Sequence, residues 1–413
     1  WAALTQRFGR NTLAENLSQA VSYARYGYPL APVIAGNWKK GFEAYRERFT
    51  SPEFSCWFDT FAPGGFVPGP GDRVVFPCHA DTLEMIGDTD ADAFYRGRLA
   101  ERIDAESRAF GGYLRAEDLA AFEAEWVEPL RIDYRGYEVC ELPPNGQGIV
   151  ALMALNILRN FEPGDVFSDD ECHRKIEAVK AAFSDALAVV TDPRFTDKDW
   201  TEYLTADYGT SRAAEIGDRA KVYAPYAPLG SGTVYLACAD GEGNMVSYIQ
   251  SNYNGFGSGI VIRDTGIALQ NRGADFSLDP KAANFLMPGK RSYHTIIPGF
   301  LMKDGLPLGP FGVMGGYMQP QGHVQVITDL IDHGMNPQQA LDTPRWQWMR
   351  DGSVTAENGF SADLAVALKA KGHAVSFDQN TGSFGRGQII LRLDNGMLAG
   401  GTESRADSSI ACW

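Results

Sequence analysis

The segment Ala224-Pro-Tyr-Ala-Pro-Leu-Gly-Ser-Gly232 constrains this chain more than any other. Its Pro, Gly and Ser content reads as an exposed, flexible linker. The sequence changes character across it, from helical spacing upstream to strand-and-turn patterning downstream. Residues 1–232 hold 20 glycines and the shorter remainder 25. Residues 1–232 carry 24 basic and 36 acidic side chains, a net of −12, against 13 and 16 after the linker, a net of −3. A total of −15 argues against nucleic acid or an anionic membrane as the main partner. No apolar run approaches the ~18 residues of a membrane helix. A length of 413 residues predicts two or three domains, or one large composite fold.

Upstream of the linker, helical spacing covers Thr12–Ala24, Gly41–Phe49, Asp90–Phe110 and Glu117–Trp126. Ile149–Leu158 is nearly all apolar and reads as a core helix. Asp169–Val190 sets Ile176, Val179, Phe183 and Leu187 on one stripe. Leu130–Tyr134 and Tyr137–Leu142 read as a strand pair turning at Arg135-Gly136. Downstream, Thr233–Ala239 and Met245–Gln250 form a hairpin around Asp240-Gly-Glu-Gly-Asn244. Lys303-Asp-Gly305 and Asp394-Asn-Gly396 mark further hairpins, with helical insertions at Val324–Ile331, Pro337–Leu341 and Ala362–Lys371. The mixture predicts antiparallel sheets covered by helices.

The usual catalytic patterns are missing. There is no His-Glu-x-x-His and no Walker loop, and Gly257-Ser258-Gly259 lacks the outer spacing of a nucleophile elbow. His79, His173, His294, His323, His333 and His373 form no ligand pair at i, i+4, so no metal is expected. Gly309, Gly312 and Gly315 loosely resemble a dinucleotide loop, without its spacing, crossover helix or downstream acid. A flavin or nicotinamide oxidoreductase would have to rest on that loop alone. Cys56, Cys78, Cys140, Cys172, Cys238 and Cys412 are scattered without a Cys-x-x-Cys pair and read as buried free thiols.

What remains is Thr233, a hydroxyl residue where the linker meets a strand. Read alone it is a plain strand-starting threonine. Were the Gly232–Thr233 bond cut, its new α-amine, with a pKa near ~8, could serve as base for its own hydroxyl. The same hydroxyl could make the cut by attacking the Gly232 carbonyl, shifting the acyl group from N to O and leaving an ester for water to release. Glycine at 232 leaves that carbonyl open and the backbone free to bend.

Ordered matches along the whole chain favour this second reading. They run through Asp92-Ala-Phe-Tyr-Arg-Gly, Gly111-Gly-Tyr-Leu-Arg-Ala-Glu-Asp-Leu, Tyr134-Arg-Gly-Tyr-Glu-Val and Pro143-Pro-Asn-Gly-Gln-Gly148. They continue through Thr233 to Asn244, Gly255-Phe-Gly-Ser-Gly-Ile-Val, Asp275-Phe-Ser, Gly315-Gly316 and Asp342-Thr-Pro-Arg345. On these stretches the chain resembles the γ-glutamyltransferase family of N-terminal-nucleophile hydrolases. The resemblance implies a four-layer αββα fold, with residues 1–232 as the large-subunit portion and 233–413 as the small subunit after autocleavage at Gly232/Thr233. It implies Thr233 as nucleophile and Ser251 in place of a threonine that hydrogen-bonds it. Gly315 and Gly316 fall on the oxyanion pair, where glycine lets N–H groups approach without a side chain in the way.

The departures cluster where the family binds the donor's amino acid end. Asp275 matches the residue that accepts from an α-ammonium. Tyr253 replaces an Asn, Arg272 a Gln, and His294-Thr295 a Ser-Ser pair. An Arg beside an ammonium site would suit a second carboxylate or pair with Asp275. Tyr293-His-Thr-Ile-Ile-Pro298 and Gln250-Ser-Asn-Tyr-Asn-Gly-Phe-Gly257 are similar to a divergent branch that includes cephalosporin (glutaryl) acylase-like proteins. The family's leading segment, with core strands and the arginine that holds the donor's carboxylate, finds no match, which predicts low stability or no activity for these residues expressed alone. The resemblance implies an acyl-enzyme mechanism without cofactor, on a γ-glutamyl amide such as glutathione, with a glutaryl-type amide as alternative. An uncleaved homologue that only binds is the remaining reading.

Overall fold

A computed structural model describes residues 1–223 and 232–413; the linker reading, apart from Gly232, falls outside the described residues. The chain forms two compact units, residues 1–126 with 255–271 and residues 127–254 with 272–413.

The first unit is helical: α1 (Ala2–Phe8), α2 (Leu13–Tyr26), α3 (Pro32–Arg48), α4 (Ser55–Phe61), α5 (Pro77–Asp88), α6 (Asp92–Tyr95), α7 (Arg98–Ala109) and α8 (Ala116–Ala120). A short antiparallel pair, β1 (Tyr28–Pro29) with β2 (Arg73–Val74), accompanies them. Thr12 and Glu15 close a reciprocal capping box that starts α2. Trp38, Trp57, Phe61 and Val261 form one apolar core, Leu13, Ile86 and Leu99 a second. Two expectations change here. Asp90–Phe110 is two helices, because the turn at Arg96-Gly97 interrupts the spacing. Glu117–Trp126 is helical only to Ala120; beyond it Phe122 stacks on Tyr95 and Trp126 packs edge-on against Phe8, contacts a continued helix would not provide.

The second unit contains β3 (Leu130–Tyr134), β4 (Tyr137–Glu141), α9 (Gly148–Leu158), α10 (Asp169–Val189) and α11 (Ala206–Ala214). These are followed by β5 (Thr233–Ala239), β6 (Met245–Ser251), β7 (Gly299–Lys303), β8 (Leu306–Met314), α12 (Met318–Ile331) and α13 (Pro337–Asp342). The last elements are β9 (Trp346–Trp348), β10 (Val354–Glu357), α14 (Ala362–Ala370), β11 (Val375–Asp378), β12 (Arg386–Arg392) and β13 (Leu398–Thr402). Six strands form one sheet in the order β13-β12-β8-β7-β4-β3, antiparallel throughout. Strands from both sides of the linker therefore share one sheet. Arg135-Gly136 and Asp304-Gly305 take positive φ at their turns, as two-residue hairpins require.

The strand pleat sends alternate residues of β8 to opposite faces. Phe311 and Val313 join the core built on α9, α10 and α12. Every residue of α9 is buried, which explains its nearly all-apolar sequence. Gly312 and Met314 face the other way, onto the β5–β6 hairpin, where Tyr235, Ile249 and Met314 cluster. A Cβ on Gly312 would lie 2.5 Å from the Tyr235 ring, so glycine permits this close approach.

Helix α12 starts at Met318, earlier than the expected Val324. Pro320 sits in the first turn, where a missing N–H costs no intrahelical bond. A Cβ at Gly322 would lie 2.7 Å from Val313, so the glycine lets the helix sit close on the sheet. Against the expectation of antiparallel pairing, β10 and β11 run parallel in a separate three-stranded sheet with β9; α14 makes the crossover between them. All six cysteines are free, but only Cys56, Cys140 and Cys172 are buried; Cys78, Cys238 and Cys412 are exposed. Among the described residues no helix is long and apolar enough to cross a membrane.

Candidate active site

Thr233 begins β5 and is 3% exposed. Antiparallel pairing sets it opposite Ser251, the last residue of β6. The two hydroxyls lie 2.8 Å apart. Ser251 Oγ also accepts from the Tyr253 N–H at 2.8 Å and contacts the Gly232 carbonyl at 3.5 Å. The Asn252 N–H donates to that same carbonyl at 3.3 Å. The scissile carbonyl of the sequence reading thus faces one backbone donor and one hydroxyl.

The remaining expected residues extend this network. Tyr253 is buried at φ +75, a left-handed conformation uncommon outside glycine. Its hydroxyl donates to Asp275 Oδ1 at 2.6 Å. Arg272 Nη1 donates to Asp275 Oδ2 and to Thr295 Oγ1, both at 2.8 Å. The guanidinium carbon lies 3.9 Å from the centre of the Tyr253 ring, a cation–π contact. Burial pushes the Asp275 carboxyl above its usual range, opposed by the bonds from Tyr253 and Arg272. Burial, then the Arg272 charge, press His294 down to about 3, so its ring is neutral at neutral pH. His294 Nδ1 accepts from the Ile296 N–H at 3.2 Å.

Gly315 and Gly316 form the turn from β8 into α12. The turn's bonds run through their carbonyls, Met318 N–H to Gly315 and Gln319 N–H to Gly316. Gly316 has φ +59, so glycine is required for the turn itself. Thr233 and Tyr235 share one face of β5, and Tyr235 covers Gly312 and packs with Met314. The nucleophile candidate therefore lies one strand repeat, about 7 Å, from the residue that covers the end of β8.

Gln147, which the sequence reading did not single out, completes the network. Fully buried, its Nε2 donates to the Thr295 carbonyl at 2.9 Å and the Gly316 carbonyl at 2.8 Å. The only advance signal was its place in the Pro143–Gly148 motif.

One group of side chains among the described residues has metal-ligand chemistry: His173, Glu177 and His373. His173 and Glu177 are spaced i, i+4, a ligand pair that the sequence expectation missed. The same side chains belong to an ion network with Lys180. His173 Nδ1 and His373 Nε2 are 2.8 Å apart, so one of the two carries the shared proton. Lys180 Nζ donates to Glu177 at 2.8 Å and to His373 Nδ1 at 3.3 Å, which supplies the positive charge. Burial first, and the Lys180 charge second, press His373 from 6.5 to about 3. The unfolded chain therefore takes up a proton between those pH values that the folded chain refuses. Stability is full above pH 6.5 and declines as pH falls through the window. Urea unfolding at pH 7, 6 and 5 should show a pH slope about 1 kcal/mol per unit shallower in His373→Gln than in wild type; equal slopes reject the assignment.

The sequence profile described as gamma-glutamyltranspeptidase matches residues 1–413, and the chain belongs to that family. It is 38% identical to a glutathione hydrolase-like proenzyme (YwrD) of Bacillus subtilis, over 99% of this chain and 78% of that one. It is 34% identical to the oxamate amidohydrolase proenzyme of Klebsiella pneumoniae, over 97% and 76%. In structure it is similar to the cephalosporin acylase of Bacillus halodurans, with a TM-score of 0.96, 52% identity and coverage of 100% of this chain and 76% of that one.

Proposed function

We propose that this protein is an autoprocessing N-terminal-threonine amidohydrolase and acyltransferase with an αββα fold. The observation that carries the reading is the 2.8 Å bond between Thr233 and Ser251 beside the Gly232 carbonyl. In processing, Thr233 Oγ attacks the Gly232 carbonyl carbon. The C–N bond breaks, Thr233 keeps its nitrogen as a free amine, and water hydrolyses the resulting ester. The Asn252 N–H and the Ser251 hydroxyl polarise the carbonyl as charge builds on its oxygen. The portions 1–232 and 233–413 stay paired because strands of both share the six-stranded sheet.

In turnover the new α-amine takes the Thr233 hydroxyl proton and Oγ attacks a substrate amide. The Gly315 and Gly316 N–H groups stabilise the oxyanion. The amine departs with the proton, and water or an acceptor amine then takes the acyl group. Two relatives, a glutathione hydrolase-like proenzyme and a cephalosporin acylase, bracket the donor. A γ-glutamyl amide is the first reading.

A second reading, a glutaryl-type amide without an α-ammonium, is favoured by the closed pair at Asp275. Both carboxylate oxygens are already engaged, one by Tyr253 and one by Arg272. An ammonium placed there would also face the guanidinium. On this reading wild type should hydrolyse glutaryl p-nitroanilide with a kcat/KM about tenfold or more above the γ-glutamyl compound, the worth of about 1.4 kcal/mol. Arg272→Gln should narrow that ratio by freeing one Asp275 oxygen. A wild-type preference for the γ-glutamyl compound, left unchanged by Arg272→Gln, returns the donor to the first reading.

A further inference from the structure

We propose that Gln147 is the positioning residue of the oxyanion turn, clamping Gly316 to the acyl-recognition segment at Thr295. The inference rests on the amidohydrolase reading above and adds a residue to it. Gln147 is the N-cap of α9, and its own carbonyl accepts from the Val150 N–H, so its backbone is fixed by a buried helix. The loop before it is joined to residues 292–294 by three bonds. Asn145 Nδ2 donates to the Ser292 carbonyl at 2.6 Å, the His294 N–H to the Asn145 carbonyl at 3.0 Å, and the Gln147 N–H to the His294 carbonyl at 2.9 Å.

From that platform the side-chain amide uses both hydrogens of its NH2 group, one for Thr295 O and one for Gly316 O. Its oxygen accepts from the Tyr293 hydroxyl at 3.3 Å. The Tyr293 ring stacks on Tyr317, centres 5.6 Å apart and planes 12° from parallel, directly after the glycine pair. Two glycines in sequence have wide conformational freedom, and N–H groups stabilise an oxyanion only when aimed beforehand. A clamp on the Gly316 carbonyl restricts that freedom without occupying either N–H.

The hydrogen bonds run unbroken from Thr233 through Ser251, Tyr253, Asp275, Arg272, Thr295 and Gln147 to Gly316. Gln147 is the link that joins recognition of the acyl group to the turn. The Gly232 carbonyl is served separately, by Asn252 and Ser251. Autocleavage should therefore proceed without Gln147, while turnover should not.

The test uses Gln147→Met, which keeps length and removes both donors, and Gln147→Glu, read on the better of the two p-nitroanilides. Both variants should give the two-band pattern of wild type on a denaturing gel. In Gln147→Met kcat should fall about 10- to 100-fold with KM within threefold. In Gln147→Glu the deficit relative to wild type should shrink as pH is lowered, because only the protonated acid can donate to one of the carbonyls. A Gln147→Met kcat within threefold of wild type overturns the proposal. So does a pH-independent deficit in Gln147→Glu, or loss of processing in both variants. Wild type that stays a single band and hydrolyses neither anilide would instead defeat the amidohydrolase reading.

Discussion

Thr233→Ala should leave the chain as a single band where wild type gives portions of 232 and 181 residues, and should lower anilide turnover by roughly 10⁴-fold or more. Both effects come from one atom. On the proposed mechanism Oγ is the nucleophile that cuts the Gly232–Thr233 bond and, after the cut, the nucleophile of every turnover. Without the cut no α-amine is released, so the variant loses base and nucleophile together. The fold should survive. Ser251 keeps its bond from the Tyr253 N–H and its contact with Gly232, and β5 keeps its pairing with β6. The melting temperature should stay within a few degrees of wild type. Thr233→Ser retains a hydroxyl but loses the β-branch that limits χ1; it should process, more slowly. Two bands in Thr233→Ala would assign the cut to an outside protease, and one band in wild type would remove the N-terminal-nucleophile mechanism.

Much of the second unit was legible because its elements carry strong local signals. The hairpin turns at Arg135-Gly136, Asp240–Asn244 and Asp304-Gly305 need residues that tolerate unusual backbone angles, and those residues stand at the expected places. The apolar run of α9 reads as buried because it is buried on every side. The errors arise where tertiary contact outweighs local preference. Pro320 and Gly322 look like breakers in sequence and serve α12 through position and packing. Phe122 and Trp126 suit a helix by spacing and are drawn out of one by aromatic partners.

At the site, the family resemblance pointed to Thr233, Ser251 and the glycine pair; residue type alone left Thr233 a plain strand-starting threonine. The pairing of Arg272 with Asp275 was one of two options the sequence left open, and three-dimensional proximity selects it. Gln147 could not be found by chemistry alone, since its partners are two backbone carbonyls whose positions only the fold supplies.

Gly315→Ala should separate processing from turnover. A Cβ at residue 315 would lie 3.0 Å from the Gly385 Cα and 3.4 Å from the Met318 Cβ. The first contact is with backbone at the start of β12 and the second with the first residue of α12, so neither can yield by a side-chain rotation. The turn itself must shift by a few tenths of an ångström, and with it the N–H groups of Gly315 and Gly316. In the proposed mechanism oxyanion stabilisation depends on that aim, and losing one well-directed donor costs about 10²- to 10³-fold in kcat. A displaced donor should cost toward the lower end, about 10²-fold, with KM little changed because the ground-state carbonyl bonds the pair only weakly. The Gly232 carbonyl meets the Asn252 N–H and the Ser251 hydroxyl at the end of β6, so the gel should still show two bands. Normal kcat in Gly315→Ala would place the oxyanion elsewhere. Loss of both processing and turnover at an unchanged melting temperature would show that one set of donors serves the two reactions.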